Sequence, residues 1–249
     1  MTAAEFQKTS PLPEHAAWMA CHYSPYGLGL SNCPRQLPEE AMLILNDRTP
    51  PQAHDPEVIA RQLKELAESL HYKYILLDFQ RPDLPENAAV VKAVLSAPPC
   101  PVGVSELYAR EVSCPVFLPP VPHHVPLSEH LAPWQGREIW LEAALDRETI
   151  TVTEKGAAVS PPSGPFPDSG PEDGDLHCHY HIRTCSDRID FTLWRTKDDL
   201  AALLEQAEGA GVTQAVGLWQ ELNGQESIFP APRLQSAASR DIISSTDRP

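Results

Sequence analysis

Short apolar runs alternate with amphipathic stretches along most of the chain. Residues 41–47 (AMLILND) and 74–79 (YILLDF) are apolar until their ends, which is typical of parallel strands covered on both faces. Between them, residues 54–70 repeat apolar side chains at helical spacing, and Asp55 and Pro56 suit the cap and the first helical position. Strand, helix and strand with short joints predict a right-handed βαβ unit.

The same alternation continues to residue 145, after which the pattern changes. Segments 148–161 and 175–183 alternate apolar and polar residues, as antiparallel strands do, and a Pro- and Gly-rich stretch separates them. This pattern predicts a late antiparallel β-ribbon insertion (148–188) with a mobile loop (159–175). Further elements are predicted in this order: helix 86–97, strand 101–105, helix 106–112, strands 115–120, 137–145 and 188–194, helix 196–211, strand 212–222.

The predicted elements favour an α/β fold of the (β/α)8 TIM-barrel type, complete or incomplete, over an open doubly wound sheet. Seven or eight strands result when a weak segment at 18–23 is counted. The predicted organisation is an irregular N-terminal segment (1–40), a barrel domain (41–224) that contains the ribbon, and a disordered tail (225–249).

Charge and composition exclude several classes of partner. The chain has 34 acidic and 19 basic residues and a formal charge of -15, which disfavours nucleic acid and anionic membrane surfaces. The start of the sequence lacks the basic and apolar regions of a secretory signal, so we expect a cytoplasmic protein. No cofactor is predicted. The partner that these properties allow is a glycan or a small-molecule ligand, and the sequence does not indicate an oligomeric state.

Candidate chemistry lies where predicted strands end, because a barrel of this type keeps its active site at that edge. Asp47 and Arg48 follow one strand, and Asp78 and Gln80 end the next. A structural alternative is that Asp78 and Gln80 cap the following helix by accepting from its free N–H groups. Three further carboxylates lie near other strand ends: Glu106, Glu142 and Glu221.

Two segments carry a resemblance to a known family. Residues 74–82 (YILLDFQRP) resemble the fourth strand of glycoside hydrolase family 18, the chitinase-like barrels, and 179–224 are similar to the closing part of its bacterial cell-wall and spore-cortex members. The resemblance implies that Asp78 assists the substrate's acetamido group, that Gln80 occupies the position of the catalytic acid, and that Trp219 forms the floor of a sugar subsite.

This departure from the family pattern determines the predicted function. An amide cannot donate a proton at neutral pH, so Gln80 indicates a degenerate, non-catalytic relative that binds a carbohydrate or cell-wall glycan or serves as a scaffold. An active glycosidase that uses Glu106, Glu142 or Glu221 as a substitute acid is the alternative.

A histidine-rich stretch suggests a third possibility, a metal-binding or partner-recruiting protein. His177, His179 and His181 alternate, which would place their imidazoles on one face of a strand, and Cys185 follows nearby. Alternate residues on a straight strand are about 6 to 7 Å apart, which is awkward for three ligands of one ion. The pattern therefore favours a histidine row without a metal.

Overall fold

The computed structural model describes residues 15–24, 27–30, 40–48, 55–160, 169–218 and 241–246 of the chain. In the described part, no helix is long and apolar enough to cross a membrane. The strands are β1 His15–Ser24, β2 Gly27–Leu30, β3 Glu40–Asn46, β4 Tyr74–Asp78, β5 Val102–Ser105, β6 Val116–Leu118, β7 Ile139–Ala143, β8 Arg147–Thr153, β9 Gly156–Ser160, β10 Glu172–Asp173, β11 Cys178–Thr184, β12 Arg188–Trp194, β13 Val212–Leu218 and β14 Asp241–Thr246. The helices are α1 Pro56–Leu70, α2 Pro85–Ser96, α3 Glu106–Ala109, α4 Leu127–Leu131, a 3-10 turn Ala132–Trp134, and α5 Lys197–Gly209.

A curled, mainly parallel sheet forms the centre of the molecule. Its strand order is β14-β13-β7-β6-β5-β4-β3-β1-β2, and β1 also pairs in parallel with β14, while β2 is antiparallel to β1. A second, antiparallel sheet has the order β10-β11-β12-β8-β9. This α/β arrangement is consistent with a TIM-like barrel, although an incomplete one, and the described part between β7 and α5 holds the second sheet.

Three segments differ from the prediction. Residues 188–194, predicted as a strand of the barrel, form β12 of the antiparallel sheet, where β12 pairs with β8 and β11. The tail, predicted to be disordered, contributes β14, and the N-terminal segment, predicted to be irregular apart from a weak strand at 18–23, contributes the longer strand β1 and also β2. Alternation of polar and apolar residues in 188–194 matches a sheet with one solvated face. The rest of the tail (225–240 and 247–249), residues 1–14 and the part of the predicted loop at 161–168 lie outside the described residues.

Helix α1 confirms the strongest local prediction. Asp55 accepts a hydrogen bond from the Glu57 backbone N–H (3.0 Å), and Pro56 opens the helix. The apolar stripe buries Ile59 and Leu63 against the outer face of the sheet. An acceptor at the cap and an apolar face at helical spacing therefore place α1 between β3 and β4, the two strands whose ends carry the candidate site.

A tryptophan fills the interior of the curled sheet. Trp140 on β7 is fully buried and donates from Nε1 to Glu138 Oε1 (3.0 Å), and the Tyr74 ring meets it edge-on with centroids 5.9 Å apart. Gly103 on β5 makes the space, because a Cβ at this position would lie 2.3 Å from the indole ring. The interior cluster consists of Ala17, Met42, Ile44, Leu76, Phe117, Trp140 and Val216.

A buried arginine joins the antiparallel sheet to the barrel. Arg195, which follows β12, donates to the Val121 carbonyl (2.6 Å) in the loop after β6 and to the His177 carbonyl (3.2 Å) in the turn before β11. Its guanidinium therefore holds two loops from different sheets, and burial lowers the pKa of Arg195. Together with further hydrogen bonds to the carbonyls of Pro122 and Leu176, these contacts offset part of the cost of burying the charge.

His123 is buried beside this arginine. Burial, with a smaller contribution from the Arg195 charge, lowers the pKa of His123 from 6.5 to about 3. A hydrogen bond with the Asp146 backbone favours the imidazolium, and the half-exposed Asp146 carboxylate lies 3.6 Å from Nε2, but desolvation is the larger effect on the pKa. His123 is therefore neutral in the folded protein near pH 7.

The contact between Gly103 and Trp140 gives a first prediction. Gly103→Ala should destabilise the protein by about 1 to 3 kcal/mol, because the added methyl group overpacks a core that cannot expand. Urea unfolding followed by circular dichroism measures the change. Gly174→Ala is the matched control, since an added Cβ there meets nothing within 4 Å. Equal midpoints for the two variants would contradict the proposed packing.

The state of His123 gives a second prediction. Its folded pKa is depressed, so the unfolded chain binds the proton more readily, and stability is lost as the pH falls from about 6.5 towards 3. Between pH 7 and pH 5 this group should cost about 2 kcal/mol of the free energy of unfolding, at about 1.4 kcal/mol per pKa unit.

Unfolding of the wild type and His123→Gln at both pH values measures this cost. The variant, which cannot titrate, should show a flatter pH dependence, and His181→Gln, at an exposed site, should keep the wild-type dependence. The same pH dependence in all three proteins would mean that His123 does not bury its neutral form.

Candidate functional site

Two carboxylates from different strands line one cavity at the end of the curled sheet. Asp78 ends β4 and Glu142 lies on β7, and each is 8% exposed. Both line one small cavity, with about 10 Å³ open to the centre of a water molecule. Apolar side chains of the sheet interior complete its lining: Met19, Ile44, Leu76, Phe117, Val216 and Leu218. The cavity is therefore an acidic rim above an apolar floor.

The predicted pair Asp78 and Gln80 is in contact. Gln80 Nε2 donates a hydrogen bond to Asp78 Oδ1, and the Gln80 side chain is exposed at the rim. Gln80 lies two residues after Asp78, where β4 ends. The contact between the two side chains therefore comes from the conformation of the loop and not from a shared strand face. The amide is a neutral donor to the Asp78 carboxyl group and adds no charge beside it.

Asp47 holds the loop that carries Gln80. Its carboxylate accepts from the backbone N–H groups of Gln80 (3.1 Å) and Arg81 (2.9 Å) and from Asn87 Nδ2 (2.8 Å). The structural alternative assigned a different contact to Asp78 and Gln80, a cap on the following helix, and the N-cap residue of α2 is Leu84, which makes no side-chain cap hydrogen bond. Asp47 therefore positions the loop, while the Asp78 side chain lies at the cavity. Arg48, the other residue predicted from this strand, is exposed.

A buried polar network continues from Asp47. Asn87 on α2 is fully buried, and its Oδ1 accepts from the Tyr23 hydroxyl (3.3 Å). Tyr108 donates from its hydroxyl to the Arg81 carbonyl. Burial, with the nearby Asp47 charge as a smaller cause, raises the pKa of Tyr23, and burial likewise raises that of Tyr108. Both phenols remain protonated donors, so the network is rigid and uncharged apart from Asp47.

Sequence reasoning missed Asn87, Tyr23 and Tyr108. One signal was available for Asn87: it is a polar residue inside the apolar helical repeat of 86–97. No local pattern indicates the tyrosines, because their partners are 64 and 27 residues away in the chain.

The other candidate acids occupy different positions. Glu106 begins α3 after β5 and is partly exposed, and it does not line the cavity in the described part of the chain. Glu221 and Trp219 lie outside the described residues. Glu142 is therefore the substitute carboxylate that the described structure brings together with Asp78.

The histidine row does not form as predicted. His177 lies in the turn before β11 with a left-handed backbone (φ 48°), and its Nε2 is 3.2 Å from Gln206 Oε1. His179 and His181 do alternate on β11, and His181 is exposed. Cys185 follows the strand, and its backbone N–H donates to the Arg188 carbonyl (2.8 Å). The turn at His177 thus removes it from the strand face on which the prediction placed it.

Comparisons with known proteins give a fold. No family model and no curated protein matches the chain. A chitinase from Chromobacterium violaceum ATCC 12472 superimposes with a TM-score of 0.51 at 10% identity, over 91% of this chain and 92% of that one. At this identity the likeness shows the fold alone, and the predicted chitinase-like architecture is confirmed at that level.

Two further solved structures are similar at lower scores. The spore cortex-lytic enzyme SleL of Bacillus cereus has a TM-score of 0.48 at 10% identity, over 81% of this chain and 63% of that one. SleL of Bacillus megaterium QM B1551 has a TM-score of 0.40 at 10% identity, over 72% and 56%.

Proposed function

We propose that this protein is a degenerate member of glycoside hydrolase family 18 that binds a carbohydrate or a cell-wall glycan without cleaving it. The observation that carries the proposal is the contact between Gln80 and Asp78 at the mouth of the sheet. In the family pattern that the sequence resembles, a carboxylic acid stands where Gln80 stands.

The chemistry of this pair disfavours hydrolysis. Cleavage of a glycosidic bond needs an acid that protonates the leaving oxygen, with a second group stabilising the positive charge that develops on the sugar. Gln80 can donate a hydrogen bond but cannot transfer a proton. Asp78 retains the second role, because its carboxylate can accept from an acetamido N–H or a hydroxyl group.

Binding needs less than catalysis. A sugar ring requires hydrogen-bonding groups around its edge and a flat apolar surface against its face. Asp78, Glu142 and Gln80 supply the first at one rim, and Trp219 is proposed to supply the second. The fold that this chain shares with a solved chitinase adds support by analogy only, since one barrel fold serves many functions.

A second candidate function is an active glycosidase in which Glu142 acts as the acid. It is favoured by one observation, that Glu142 and Asp78 line the same cavity. Two carboxylates in a partly apolar site are the arrangement in which one can hold a proton near neutral pH. A non-catalytic scaffold remains the outcome if neither binding nor turnover occurs.

Calorimetric titration with N-acetylglucosamine oligomers tests the proposed binding. The wild type should release heat on binding, and Asp78→Ala and Trp219→Ala should weaken the affinity by about tenfold or more, because each loses a contact worth roughly 1 to 2 kcal/mol. Glu106→Gln, a carboxylate at another strand end, should bind as the wild type does. If the wild type releases no heat, binding of these oligomers is rejected, and the non-catalytic scaffold is the function that is left.

Turnover of the same oligomers separates the two candidate functions. We expect no hydrolysis by the wild type and measurable hydrolysis by Gln80→Glu, whose carboxyl would share one proton with Asp78, since two carboxylates within hydrogen-bonding distance cannot both ionise readily. The active glycosidase would instead be established if the wild type hydrolyses the oligomers, Glu142→Gln does not, and Glu106→Gln still does.

A further inference from the structure

Three side chains with metal-binding atoms converge where the antiparallel sheet meets α5. Glu172 on β10, His179 on β11 and Asp199 on α5 each offer one ligand atom, and these atoms all lie within 4.8 Å of one another. Glu172 and His179 are direct cross-strand partners, so the sheet register holds them side by side. The cluster differs from the histidine row that the sequence suggested, and shares only His179 with it.

The hydrogen bonds of His179 identify which nitrogen faces the cluster. Its Nδ1 lies 3.1 Å from the Gly170 carbonyl, which can only accept, so Nδ1 carries the proton. The other nitrogen, Nε2, lies 3.4 Å from Asp199 Oδ2. In a neutral imidazole two acceptor atoms would then face each other, which is unfavourable unless a cation or a second proton lies between them.

The distance between these two atoms suits a shared metal ion. In a tetrahedral site, bonds of about 2.0 to 2.1 Å to nitrogen and oxygen separate two ligand atoms by roughly 3.4 Å. His179 Nε2 and Asp199 Oδ2 are at this separation. Glu172 is exposed on a two-residue strand, and its ligand atom lies within 4.8 Å of those of His179 and Asp199.

Both inner ligands are held in place by their surroundings. Asp199 is 5% exposed, and its Oδ2 accepts from the backbone N–H and the hydroxyl of Thr196, each at 2.7 Å. The His179 ring stacks on Trp194 with centroids 5.8 Å apart and planes 21° apart. A hydrogen-bonded carboxylate and a histidine whose second nitrogen binds a backbone carbonyl are the supports that metal ligands usually have.

We propose that Glu172, His179 and Asp199 bind one divalent transition-metal ion, with Zn²⁺ as the ion that best fits one imidazole and two carboxylates. Three protein ligands leave a fourth position for a water molecule or another small ligand. The ion would tie β10 and β11 of the antiparallel sheet to the start of α5, and so would fix that sheet relative to the barrel.

Metal titration of the full-length protein tests this site. The protein is prepared without a polyhistidine tag and stripped with a chelator, then titrated with Zn²⁺ by calorimetry and with Co²⁺ by visible absorption. The wild type should bind one equivalent, and His179→Ala and Glu172→Gln should weaken binding about tenfold or more. Glu172→Gln changes an exposed side chain, so it tests the site without threatening the fold.

His181→Ala is the matched control, because His181 alternates with His179 on the same strand but is exposed and outside the cluster. It should bind Zn²⁺ as the wild type does, and the metal should raise the melting temperature of both proteins but not that of His179→Ala. Absence of binding by the wild type, equal binding by His179→Ala and His181→Ala, or a Co²⁺ spectrum dominated by thiolate charge transfer would each overturn the proposal.

Discussion

The packing of Trp140 against Gly103 sets the architecture of the interior. One indole ring fills the space inside the curled sheet, and the missing side chain on β5 is what admits it. The small cavity lined by Asp78 and Glu142 lies at the end of this interior where β4 and β7 carry these two residues. The packing that stabilises the interior thus leaves this cavity at the carboxyl ends of the strands.

The site in turn depends on a division of roles between adjacent strands. The buried Asp47 carboxylate accepts hydrogen bonds from the backbone N–H groups of Gln80 and Arg81. It therefore fixes the loop after β4. Asp78 ends the adjacent strand β4, where it pairs in register with Asn46. Its side chain lies at the cavity and accepts a hydrogen bond from Gln80. If Asp78 capped the following helix, as the sequence also allowed, the cavity would lose one of its two carboxylates.

Local signals predicted much of this fold, and long-range pairing accounts for the differences. Helices α1 and α5 follow from their caps and apolar stripes, and the strands ending at Asn46 and Asp78 follow from uninterrupted apolar runs. Residues 188–194 were assigned to the barrel and 241–246 to a disordered tail, because β8 and β13, with which they pair, lie far away in the sequence and no short window contains them. Asp78 and Gln80 could be predicted as a pair, whereas the roles of Asp47 and Asn87 required the loop geometry.

The electrostatics of the mouth separate binding from cleavage. The chain carries a charge of -15, and both acids at the cavity are largely removed from water, so a further carboxyl at position 80 would have to share a proton with Asp78. A glutamine gives the same reach and a hydrogen bond but adds no charge and holds no transferable proton. Under the proposed function, a glutamine in the place of a carboxylic acid would preserve the shape and polarity of the rim and remove proton transfer, which is the change expected of a relative that keeps a ligand and gives up the reaction.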